Sequence, residues 1–155
     1  MKIDKLVPLQ VVRSDKDTHF TGAISQNAKE DENITGLDCN SGLITGITIV
    51  SDQNLAWDVY LWGTDGFDDS DLDAENFLGR FSFLSSDGDQ LGGSGQYYYS
   101  TSHASQSFQP IPYADADNGN ELHISLVNRS ASAKNAGATG EVVVTVHYAP
   151  DARAE

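Results

Sequence analysis

The chain is predicted to fold as an all-β protein, an antiparallel β-sandwich of about eight strands with a jelly-roll-like topology. Three observations carry that expectation. Apolar and polar residues alternate with a period of two, as in Leu122, Ile124 and Leu126 against His123 and Ser125, and in Val142, Val144 and Val146 against Glu141, Thr145 and His147. The strand-like runs are separated by Gly-, Asn-, Asp- and Ser-rich segments of uneven length, and no helical period persists beyond about one turn. An immunoglobulin-like sandwich is the rival arrangement.

Along the chain, Leu6 to Val12 reads as a first strand that Pro8 restricts to an edge or a strand start. The polar stretch from Asp15 to Asn33 offers only Phe20 and Ile24 as anchors. Residues 1–33 are therefore expected to form an arm and loop ordered by a partner, followed by the sandwich over 34–150 and a tail over 151–155. A short strand is expected near 34–39 and a longer one over 43–50. In LAWDVYLW, Leu55, Trp57, Val59 and Leu61 share a core face, Asp58 and Tyr60 lie opposite, and Trp62 is the tryptophan expected to be exposed. FLGRFSFL aligns Phe77, Phe81 and Phe83, whereas QYYYSTS sets Tyr97 and Tyr99 away from Tyr98. Asn118-Gly119 marks a turn before ELHISLVN and GEVVVTVHY, which are expected to be neighbouring strands with His123 and His147 off the core face.

A length of 155 residues suits one domain that buries roughly 70% of its unfolded surface. With 23 acidic and 9 basic residues the net charge is -14, so nucleic acid and anionic membranes are not expected partners. Lys2, Lys5, Arg13 and Lys16 gather near the start, and Arg129 and Lys134 lie in the small-residue connector before the last strand. These six cations are the expected partner contacts. Cys39 is alone, which precludes an intrachain disulfide and suggests a small buried side chain. The sequence has neither a signal-peptide pattern nor an apolar run of about 20 residues, and synthesis as a soluble cytosolic protein is expected.

Catalytic signatures are missing: there is no G-x-S-x-G, no H-E-x-x-H and no P-loop, and LGGSGQ lacks the lysine and helix that phosphate binding needs. No enzymatic activity is expected. Residues 64–76 carry six carboxylates, and Asp69, Asp71 and Asp73 copy the first ligand spacing of an EF-hand. Ala74 stands where that loop requires glycine, so a solvated acidic loop with weak calcium capacity is the expectation, and no other cofactor is implied.

The segments DENITGL, NLAWDVYLWGTDGF and above all ELHISLVNRSASAKNAGATGEVVV resemble small virion proteins of tailed bacteriophages, specifically the β-sandwich cement or decoration proteins. The resemblance implies a non-enzymatic role on the capsid exterior. It further implies binding to the major capsid protein, a homotrimer as the usual form, and synthesis in the host bacterial cytoplasm. A carbohydrate-binding β-sandwich, using Trp62 and the Tyr97 to Tyr99 ladder as stacking surfaces, is the alternative.

Overall fold

The computed structural model describes residues 9–65, 76–130 and 142–151. Its strands are β1 (Gln10–Arg13), β2 (Lys29–Thr35), β3 (Ser41–Ser51), β4 (Trp57–Trp62), β5 (Phe77–Phe83), β6 (Asp89–Gln90), β7 (Tyr97–Ser100), β8 (Ile111–Ala114), β9 (Glu121–Asn128) and β10 (Val142–Pro150). The antiparallel pairings are nested: β1 with β10, β2 with β9, β3 with β8, and β4 with β5. Such nesting arises when one long hairpin is wrapped over on itself, so that its strands divide between two sheets. The larger sheet runs β1-β10-β3-β7-β6, with β8 also on β3, and the smaller runs β2-β9-β4-β5. This is a jelly roll, to which the β6/β7 hairpin adds width on one side.

The period-two pattern explains the core. Ile44, Ile47, Ile49, Val142, Val144, Val146 and Tyr148 of the larger sheet face Trp57, Val59, Leu61, Leu122, Ile124 and Leu126 of the smaller, all buried. A bulge opposite the His147/Tyr148 step leaves Thr45 unpaired. That extra residue lets Ile44 and Ile47, three apart, both point inward. Gly42 is required nearby, because a Cβ there would lie 2.3 Å from the Ala149 carbonyl oxygen and 2.6 Å from the Tyr148 ring.

The structure corrects several sequence expectations. Residues 10–33 are not an arm: β1 and β2 are built into the two sheets, and Phe20 and Ile24 between them are fully buried. Burying two such side chains contributes roughly 1.5–3 kcal/mol each, which anchors the loop to the core at both points. The loop is also tied at its middle, where the Phe20 N–H donates to Glu32 at 2.9 Å and the Asn128 side chain donates to the Ile24 carbonyl at 2.9 Å. The strand expected near 34–39 begins five residues earlier, as the acidic edge strand KEDENIT, and stops at Gly36, where φ is +115°. Charged residues are well suited to such an edge because they discourage pairing with another chain. The last two strands are not neighbours. β9 sits between β2 and β4 and β10 between β1 and β3, so His123 and His147 belong to different sheets. No helix among the described residues is long and apolar enough to cross a membrane.

Candidate functional site

Chemistry concentrates on the outer face of the smaller sheet. Register lays three rows across it: Lys29, Val127, Asp58 and Ser82; Asp31, Ser125, Tyr60 and Arg80; Asn33, His123, Trp62 and Phe77. Trp62, expected to be exposed, is only 2% exposed. Its Nε1 donates to Ser125 Oγ at 2.9 Å, and that hydroxyl donates in turn to Asp31. Asp31 pairs with Lys29 at 3.1 Å, and the Lys29 ammonium stands 5.6 Å from the centre of the Trp62 ring. A polar partner for Nε1 and flanking side chains on both sides make burial of the indole favourable.

His123, expected to be solvated, is fully buried. Its Nδ1 lies 2.6 Å from Asn33 Oδ1 and its Nε2 3.0 Å from Asp115 Oδ1. The Tyr113 hydroxyl accepts from the His123 N–H at 2.8 Å and donates to the Glu121 carbonyl at 2.9 Å, standing in for a ladder partner at the end of β9. Asp115 also accepts from the backbone N–H groups of Asp117, Gly119 and Glu121 at 2.9, 2.9 and 3.0 Å. Burial pushes the Asp115 carboxyl up, but the hydrogen bonds from Glu121, His123 and Asp117 outweigh it and hold the carboxyl below its ordinary value. Asp115, Asp117 and His123 are close enough to share a metal ion, with ligand atoms within 4.8 Å of one another. Four donors already occupy the Asp115 carboxylate, which fills its lone-pair capacity. The cluster is therefore a clasp that closes the β8–β9 loop over the sheet.

Beside this network lies a cavity of about 560 Å³ bounded by Asn27, Lys29, Tyr60, Trp62, Phe77, Arg80, Val127 and Arg129. The rings of Tyr60, Trp62 and Phe77 meet edge to face, with centroids 5.5 to 6.3 Å apart. Arg129 folds back over them, donating through Nε to Asp58 at 2.9 Å and through Nη2 to the Tyr60 hydroxyl at 2.9 Å. Lys29, Arg80 and Arg129, three of the nine basic residues, thus converge on one pocket. No family model, curated protein or solved structure matches the chain.

The six cations expected to contact a partner do not form one site. Arg13, at the free edge of β1, donates to Thr145 at 3.2 Å, and Lys16 pairs with Asp17 on an exposed turn. Arg129 joins the pocket of the smaller sheet, while Lys2, Lys5 and Lys134 lie outside the described residues, as do Asp69, Asp71 and Asp73 of the acidic loop. The expected stacking surfaces are also dispersed, because Tyr99 of the larger sheet is buried in the core and Trp62 is buried on the outer face of the smaller sheet. Lys29, Tyr60, Phe77 and Arg80 escaped the sequence reading. Of these, Tyr60 carried a local signal, since it shares the non-core face of LAWDVYLW with Trp62.

The outer face of the larger sheet is of a different kind. Its rows read Val11, His147 and Gly46; Arg13, Thr145, Thr48 and Ser100; Val143, Val50, Tyr98 and Asp89; and Ala149, Leu43 and Pro112. Arg13 and Asp89, at opposite edges, are the Arg, Lys, Asp or Glu residues in these rows, which also carry His147 on β10. Val11 and Leu43 are 55% and 37% exposed.

Proposed function

We propose that this chain is a non-enzymatic virion structural protein, a cement or decoration protein of a tailed-bacteriophage head. In this reading it is made in the bacterial cytoplasm, binds the major capsid protein on the outer shell and self-associates as a homotrimer. The observation that carries it is the outer face of the larger sheet. In a chain of net charge -14 that face has an uncharged, partly apolar centre with one cation and one anion at its edges. Depletion of charge from the middle of a patch, with polar groups around it, is the compositional mark of protein interfaces. A jelly roll presents such a face rigidly, because its two sheets are locked through a common core. The resemblance of three segments to cement proteins supports the same reading.

The test is addition of the purified protein to bare heads, read as copies bound per capsid, with light scattering of the free protein for its mass. Stoichiometric binding by a trimer is expected. Val143→Lys places a charge on this face, near the start of β10, while leaving the core untouched, and is expected to abolish binding with an unchanged thermal melt. Full occupancy by Val143→Lys would remove the larger sheet as the docking surface, and failure of the unaltered protein to bind any head would remove the function.

A further inference from the structure

We propose that the pocket on the outer face of the smaller sheet binds a carboxylate-bearing sugar residue of a glycan. The cavity, about 560 Å³, is of the size that takes a small ligand, which typically needs roughly 300–1,000 Å³. Its walls combine the two surfaces an acidic sugar requires. The partly buried rings of Tyr60 and Phe77, packed edge to face at 6.0 Å, and the Val127 side chain beside them offer an apolar bed for the C–H face of a pyranose. Arg80 and Arg129 lie at its border as guanidinium donors whose planar fork matches a carboxylate.

Charge decides between possible anions. Arg129 is paired with Asp58 at 2.9 Å and Lys29 with Asp31 at 3.1 Å, so each has a carboxylate behind it. Arg80 makes no ion pair among the described residues and is exposed. One cation lacking a counter-charge among the described residues matches one carboxylate; a phosphate dianion would be left under-neutralised. An acidic peptide segment is disfavoured for a related reason, since every charge beyond the one seated on Arg80 would meet a body of net charge -14. A sugar acid concentrates its single charge at one ring carbon and is otherwise neutral. The site does not depend on the docking role of the larger sheet, because the two outer faces lie on opposite sides of the sandwich.

Galacturonic acid and galactose form a matched pair differing in the carboxylate, and N-acetylneuraminic acid and the dipeptide acetyl-Glu-Phe-amide complete the probe set. Saturation-transfer NMR and titration followed by tryptophan fluorescence, to which Trp62 beside the pocket contributes, give the affinities. At least one sugar acid should bind about tenfold or more tightly than galactose, and that margin should shrink with added salt. Arg80→Gln should erase the margin and Arg80→Lys should retain part of it, with both variants melting as the unaltered protein does. Phe77→Ala should weaken every sugar. Equal affinity for galactose, dipeptide binding as tight as either sugar acid, or no binding by either acid would each overturn the proposal. The dipeptide outcome would point instead to a protein partner.

Discussion

Replacing Asp115 with alanine removes one carboxylate and four hydrogen bonds at once. The N–H groups of Asp117 and Gly119 lie in a largely exposed loop and that of Glu121 at the start of β9, so water can enter and recover much of their loss. His123 is fully buried and cannot be rehydrated without opening the sheet. A hydrogen bond to a charged group contributes about 1.5–3 kcal/mol, and a neutral one about 1 kcal/mol once water competes. Taking the full value for His123 and less than the neutral value for each loop N–H puts the loss near 3–5 kcal/mol. For a domain of this size that lowers Tm by roughly 10 °C. Asp115→Asn should be nearly as damaging, because its amide would turn a donor toward either the Gly119 and Glu121 pair or the Asp117 and His123 pair. The pH dependence has a defined sign. The Asp115 carboxyl is held below its ordinary 3.8, so its contribution is complete above the unfolded value and is lost as pH falls through the lower folded one. The stability gap between the native chain and Asp115→Ala, measured by urea unfolding, should thus be constant from pH 6 to 8 and narrow below about pH 4. A loss under about 1 kcal/mol at pH 7, or a gap that widens in acid, would refute the clasp.

Gly42→Ala drives a methyl group into the Ala149 carbonyl and the Tyr148 ring, and should cost about 2–4 kcal/mol by urea unfolding; a neutral result would show that β3 and β10 can separate there. Burial pushes the Tyr99 hydroxyl up to about 12 and raises Tyr113 and Tyr148 further still. Three of the six tyrosines should therefore remain protonated at pH 11 while the fold persists, as read from tyrosinate absorbance. Because these folded-state values are raised, the associated stability is present below about pH 10 and lost above it. Arg129→Glu sets a carboxylate against Asp58 and should lower stability by about 1–2 kcal/mol. An assembly defect in that variant would consequently report on the fold as well as on a partner, whereas Arg129→Gln with an unchanged melt isolates the partner.

Whatever depends on local alternation was legible in the chain. Trp57, Val59, Leu61, Leu122, Ile124, Leu126 and the valines of β10 are in the core as the period of two requires, since a strand turns successive side chains to opposite faces whatever it pairs with. The identity of the paired strands was not, because β9 and β10 are equally good strands and nothing in their alternation says that a wrapped hairpin sends them to different sheets. The same gap hid the second layer of burial. His123 and Trp62 occupy polar-face positions, and only the packing of the β8–β9 loop, Lys29 and Phe77 over the smaller sheet removes them from water. The acidic strand β2 reads as loop by composition and becomes a strand because its backbone pairs with β9 along seven residues. The candidate pocket joins residues from β2, β4, β5 and the end of β9, separated by up to a hundred positions in sequence. Alternation is a property of each segment and can be read along it; convergence of Lys29, Tyr60, Phe77, Arg80 and Arg129 is a property of strand order, which only the closed fold specifies.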